Sequence, residues 1–277
     1  MIFRSLSSRI GAIASASLVL AALTGCGVPP TNAAPTNPPT TPTAPVALTT
    51  GNWQGNLTAA AGKKPLGVIA GTIDQSGGNT SSGQFTTAVF RIQAPCYAGT
   101  PVPSQGFVKD TAMTLNSFAV EHQYLNLTGT IAAGNGTISG TYAVNGGCAD
   151  GSNGSLALQR YAPFTGTYAS AAAQTPGLSI TTSQSDGADG SGAFPVAATA
   201  KFTNFGCFTE GTAMMTNNPE ISGASFDLLF TTNDRAGSTL HLTGTINVQA
   251  TSVTSYTYTV AGGACSGMTG TGVLNRL

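Results

Sequence analysis

The chain has 277 residues with ten Lys or Arg and ten Asp or Glu, so its formal net charge is zero and only 7% of it is charged. Nucleic-acid affinity rests on clustered Lys and Arg, and a chain this poor in charge excludes it. Disorder of the whole chain is excluded as well, because hydrophobic residues make up 41% and fall in alternating runs. Ser, Thr, Asn and Gly must therefore supply the polar surface.

Taken in order, the chain opens with Arg4 and Arg9 before an apolar run from Ile10 to Leu23, the charged-then-apolar layout of an export signal over 1–25. The run is short for a membrane span. It closes on Leu23-Thr24-Gly25-Cys26, which resembles the lipobox of bacterial lipoproteins. The resemblance implies a diacylglyceryl group on Cys26, cleavage before it, and acylation of the new amino terminus with a fatty acid such as palmitate. Membrane lipid is then a partner. Each buried methylene contributes about 0.8 kcal/mol, so two or more acyl chains anchor a protein stably. Gly27 stands where an Asp would signal inner-membrane retention. The expected location is the outer membrane of a two-membrane cell, otherwise the outer face of the cytoplasmic membrane. Residues 26–48 follow as a Pro/Thr-rich disordered tether, with Pro38-Pro39 and Pro42 favouring extended polyproline II.

The rest is a duplicated domain. Leu125-Asn126-Leu127-Thr128-Gly129-Thr130-Ile131 recurs as Leu240-His241-Leu242-Thr243-Gly244-Thr245-Ile246, and matching residues flank both copies. Apolar residues alternate with Asn or His and two threonines, the period-2 pattern of a half-buried strand. The units are expected at 49–161 and 162–277. Each opens on Gly-x-aromatic, passes a Gly-rich turn (77–83 and 187–192) and a cysteine, then the repeated strand, a second cysteine and a closing arginine. Short Thr/Val/Ile/Tyr runs between Gly/Asn turns predict an all-β fold. Seven or eight antiparallel strands per unit would form two tandem barrels or sandwiches.

With Cys26 assigned to lipid, Cys96, Cys148, Cys207 and Cys265 remain, two per unit at matching places. Four cysteines allow three connectivities. Duplication of a self-contained unit favours Cys96–Cys148 and Cys207–Cys265. A four-thiolate metal site would want close Cys pairs, which are missing from the sequence.

Gly51-x-Trp53 with Arg160, echoed by Gly166-x-Tyr168 with Arg276, resembles the lipocalin or wider calycin signature. That resemblance implies an eight-stranded barrel closed at one end by an aromatic from the first strand under an arginine from the last, and small apolar ligands.

Chemistry-bearing motifs are scarce. No Gly-x-Ser-x-Gly, His-Glu-x-x-His or Cys-x-x-Cys is present, and His122 and His241 do not align between the units. Asp186-Gly-Ala-Asp189-Gly-Ser-Gly reads as a hairpin turn rather than a calcium loop, which needs more oxygen ligands. Glu121-His122, read as adjacent strand residues, would face opposite ways. Lys63-Lys64 reads as a solvated turn. No catalytic residue, metal or cofactor is expected. The leading reading is non-catalytic binding of a small apolar or glycan ligand in the barrels. The second is a structural or adhesive surface module meeting a protein or polysaccharide. The third is a hydrolase assembled from dispersed residues such as Asp227, His241 and Glu210.

Overall fold

The computed structural model describes residues 46–76, 83–97, 99–214, 218–234 and 236–277. The expected signal, Cys26, the tether up to residue 45 and most of the 77–83 turn lie outside the described residues. Among the described residues there is no helix, and the chain forms seventeen strands.

The first eight strands form one closed antiparallel barrel in sequence order. They are β1 (Gly51–Ala59), β2 (Gly67–Gln75), β3 (Gln84–Ile92), β4 (Val102–Lys109), β5 (Ala112–Ser117), β6 (Tyr124–Ile131), β7 (Thr137–Asn145) and β8 (Asn153–Tyr161). Closure is made by β1 against β8, with Trp53 opposite Arg160. Closing the sheet removes the edges that an open one would leave unpaired.

The second barrel repeats this course through β9 (Gly166–Ala169), β10 (Gly177–Gln184), β11 (Phe194–Thr203), β14 (Ser225–Thr232), β15 (Thr239–Ile246), β16 (Ser252–Ala261) and β17 (Thr269–Arg276). Its fourth strand is broken into β12 (Glu210–Ala213) and β13 (Glu220–Ser222), and both pieces pair with β11 on one side and β14 on the other. The break has a local cause: Asn218 takes φ 45°, and Pro219 has no N–H to give a ladder.

Alternation sorts the side chains. In the repeated strand Leu125, Leu127 and Ile131 point inward at 0–1% exposure, and so do Leu240, Leu242 and Ile246 at 0–3%, while Thr128 is exposed. Each barrel has its own apolar core. Trp53, Ile69, Ile73, Phe90 and Leu115 are wholly buried in the first, and Tyr168, Ile180, Val196, Leu228 and Phe230 in the second. Phe164 packs on Tyr168 and on Phe226, ring centroids 5.1 Å apart in both pairs. Large apolar side chains point into both interiors.

The disulfides are Cys96–Cys148 and Cys207–Cys265, one inside each unit, with Cα atoms 5.6 and 6.0 Å apart. Glu121 and His122 are not on a strand. They form the tip of the β5–β6 connection with φ of 50° and 60°, closed by reciprocal hydrogen bonds between Val120 and Gln123. Alternation through Val120 hid that turn.

Candidate functional site

Both barrels belong to one compact unit, and polar side chains fasten the seam between them. Asn52 and Gln54 of β1 meet the tight turn joining β13 to β14. The Asn52 amide donates to the Gly223 carbonyl at 2.8 Å, and its oxygen accepts the Gly223 N–H at 2.6 Å. Gln54 Oε1 accepts the Ala224 N–H at 2.8 Å. Asn52 is only 2% exposed, and it spends both ends of its amide on the backbone of one residue, Gly223. Gly223 has φ 59°, and a Cβ there would lie 2.3 Å from Gln54 Oε1. Only glycine fits so close an approach.

Arg91 of β3 is the second fastening. Its Nη1 donates to Glu220 Oε1 at 2.6 Å, its Nη2 to Ser191 Oγ at 2.5 Å and its Nε to the Ser191 carbonyl at 3.2 Å. Behind Ser191, Asp189 Oδ1 accepts from the Ser191 N–H and hydroxyl and from the Ala193 N–H. Burial pushes the Asp189 carboxyl up, but the Ser191 hydroxyl, the two N–H groups and the nearby Arg91 charge outweigh it and hold the group below the ordinary carboxylate value. The Asp186–Gly192 stretch is thus a turn that docks the other barrel.

Beside these contacts lies a cleft of about 290 Å³. The first barrel contributes Gln54, Arg91 and Gln93 to it, and the second contributes Glu220, Ser222, Ser225 and Asp227. Glu220 and Asp227 are direct partners across β13 and β14, so their side chains share a face with Cβ atoms about 5 Å apart. Arg91 engages the first carboxylate, and His241 Nε2 lies 2.7 Å from Asp227 Oδ1. Cross-strand pairing carries the row on through Thr243 and Thr257. The arrangement offers amide and hydroxyl hydrogen bonds and two carboxylates around one opening. Among the described residues no three His, Cys, Asp or Glu side chains converge as a metal cage would require.

Of the dispersed trio, Asp227 and His241 come together, while Glu210 sits apart against Lys201 at 3.4 Å on the exposed surface. Trp53 and Arg160 are direct cross-strand partners, as are Tyr168 and Arg276. Trp53 is wholly buried and its indole N–H donates to the Thr49 carbonyl at 2.6 Å; the Tyr168 hydroxyl donates to the Ala250 carbonyl at 2.8 Å. The preceding glycine makes room for the arginine. A Cβ on Gly51 would stand 3.1 Å from Arg160 Nε, and one on Gly166 2.8 Å from Arg276 Nε. Lys64, in its turn, donates to the Cys148 carbonyl at 2.9 Å.

Sequence reasoning missed Asn52, Gln54, Arg91 and Glu220. For Asn52 and Gln54 a signal was available, because these two positions break the repeat. Aligning Trp53 with Tyr168 places Thr167 opposite Asn52 and Ala169 opposite Gln54, so the long polar side chains occur only in the copy that uses them.

Fold and site together define a class: a paired, disulfide-stapled, eight-stranded barrel protein with a polar inter-barrel cleft. No protein-family model matches the chain, and neither a curated protein nor a solved structure does.

Proposed function

We propose that this chain is an exported, lipid-anchored envelope protein that binds a small glycan, without catalysis, in the cleft between its barrels. The observation that carries the reading is the convergence of Gln54, Gln93, Arg91, Glu220 and Asp227 on one cleft in a protein of which only 7% is charged. Sugar hydroxyls both donate and accept, and amides beside carboxylates satisfy both roles. The many large apolar side chains directed into both barrels favour this place and this ligand over an apolar molecule inside a barrel. Two disulfides suit an oxidising compartment outside the cytoplasm. The Leu-Thr-Gly-Cys26 sequence supports lipid as the anchor.

The test is calorimetric titration of the oxidised, detergent-solubilised full chain with a panel of neutral and amino-sugar oligosaccharides, and with fatty acids as apolar probes. The expected result is oligosaccharide binding that Asp227→Asn or Gln93→Ala weakens about tenfold, or about 1.4 kcal/mol. Fatty-acid binding with no oligosaccharide binding would overturn the reading. Separately, Cys26→Ala should move the protein from the membrane fraction to the soluble one. Undiminished membrane association would remove the lipid anchor from the proposal.

A further inference from the structure

We propose that the outer wall of the first barrel, over β3 to β6, is a second ligand face that takes a linear, uncharged polysaccharide. It shares no residue with the cleft and does not depend on the cleft reading. The large aromatic side chains left exposed among the described residues all stand on this wall: Phe85 at 41%, Phe107 at 46%, Phe118 at 52% and Tyr124 at 51%. Aromatic rings carry more apolar area than other side chains, and an exposed group of them marks an interaction surface.

Their placement is ordered. Phe85 and Phe107 are direct cross-strand partners with ring centroids 5.9 Å apart, edge to face. Phe118 donates its N–H to the Pro103 carbonyl, four residues back along β4 from Phe107, which sets the two groups of rings about 13 Å apart at ~3.3 Å per residue. Tyr124 stands beside Phe118, two residues beyond the paired Asn116 and Asn126 on β5 and β6. Between the groups runs a rung of amides, Gln105 opposite Asn116 opposite Asn126, and next to it the hydroxyl rung Thr114, Thr128, Thr141. No charged side chain occupies an outward position on those rungs.

This alternation matches the two faces of a sugar. The C–H groups of a pyranose ring pack on an aromatic face, while its ring-edge hydroxyls take hydrogen bonds from amides and hydroxyls. Two platforms with amides between them fit sugars two or three units apart along one extended chain. The two uncharged rungs, with Lys109 and the Glu121–His122 tip only at their margins, favour a neutral polymer over a polyuronate or a phosphorylated one.

The second barrel argues against a second copy of this chain as occupant. Following the ladders outward, Phe85–Phe107–Thr114–Thr128 occupies the place of Pro195–Glu220–Asp227–Thr243. In the second barrel that wall receives Arg91 on Glu220. Another copy docking the same way on the first barrel would bring its Arg91 against Phe107, where no carboxylate waits.

The experiment is electrophoresis of the oxidised, detergent-solubilised full chain through native gels containing soluble β-glucan, xylan, galactomannan or dextran, with alginate as the anionic control. Retardation by at least one neutral polymer is expected, surviving about 1 M salt, where the Debye length is ~3 Å. Phe107→Ala and Tyr124→Ala, both at exposed positions, should each raise the apparent dissociation constant about tenfold or more with unchanged melting, and Phe107→Trp should retain binding. Lack of retardation by every neutral polymer, stronger retardation by alginate, or wild-type binding by both alanine variants would overturn the proposal. So would sedimentation showing a dimer that Phe107→Ala dissolves.

Discussion

Tyr97 is wholly buried, and its hydroxyl has no hydrogen-bond partner among the described residues. Burial pushes this phenol up from about 10 to about 12. The folded protein therefore keeps a proton that the unfolded chain releases above about pH 10, so the stability from this group is intact below that value and is lost as pH rises toward 12. Replacing Tyr97 with Phe removes a buried hydroxyl without a partner, and at pH 7 it should leave stability unchanged or raise it by about 1–3 kcal/mol. Its signature is alkaline: between pH 9 and 11, melting curves of Tyr97→Phe should fall less steeply than those of the wild type. Trp53 and Tyr168 are the opposite case. Each buries an aromatic body and hands its polar atom to a backbone carbonyl, Thr49 or Ala250. This explains how a tyrosine serves where the first copy has a tryptophan. That both were core aromatics at strand starts was legible in Gly-x-Trp53 and Gly-x-Tyr168. The glycine's purpose was not, because the Arg160 and Arg276 side chains that lie over it come from the far end of each unit.

At the scale of elements, the strands were legible wherever one face packs and the other is wet. Leu125, Leu127 and Ile131 mark such a strand, and its recurrence at Leu240, Leu242 and Ile246 doubled the signal. The broken fourth strand of the second barrel was not legible, since β12 and β13 are four and three residues long and the period has no room to show. The disulfides were legible because duplication kept each pair internal. Each closes a loop of more than 50 residues, a sequence separation of 52 for Cys96–Cys148 and 58 for Cys207–Cys265, for which chain entropy gives about 4 kcal/mol. Cys96→Ser with Cys148→Ser should accordingly lower the denaturation free energy by a few kcal/mol, measured by urea unfolding without reductant. The Asp189 turn makes a different prediction. Its carboxyl is held below the ordinary value, so the stability it lends is present above about pH 4 and is lost as pH falls through the folded value. Asp189→Ala should cost roughly 1–3 kcal/mol at pH 7 and should flatten the acid limb of the stability curve. A variant that keeps the wild-type acid limb would show that the three hydrogen bonds to Asp189 do not hold the turn.

At the scale of the molecule, the two barrels are joined by the polar side chains of the seam and by Tyr161, at the end of β8, packed against the second core, and two of the polar positions are ones where the copies differ. Asn52 and Gln54 stand where the second copy has Thr167 and Ala169. Arg91 stands where the second copy has Lys201, because Trp53 leads across the ladder to Gly71 and Phe90 as Tyr168 leads to Ile180 and Ala200. Lys201 meets Glu210 on an exposed surface, with side chains 70% and 56% accessible, whereas Arg91 and Glu220 are 32% and 23% accessible and share the seam with Ser191. A cation at the same place in the frame, Lys201 in one barrel and Arg91 in the other, is a rim charge in the first case and a fastening in the second. An exposed pair contributes about 0–1 kcal/mol, so Lys201→Ala should leave thermal unfolding nearly unchanged. Breaking the half-buried pair strands Glu220, and Arg91→Ala should cost about 2–3 kcal/mol by the scale of charged hydrogen bonds. Installing the second copy's residues, Asn52→Thr with Gln54→Ala, removes three hydrogen bonds at Gly223 and Ala224, each contributing about 0.5–1.5 kcal/mol. The two barrels have separate apolar cores, so loss of the seam should uncouple them rather than unfold either one. Calorimetry should then resolve two transitions in a variant combining Arg91→Ala, Asn52→Thr and Gln54→Ala, against a single one in the wild type. A single transition, merely lowered, in that triple variant would mean the barrels are coupled through contacts other than these three side chains.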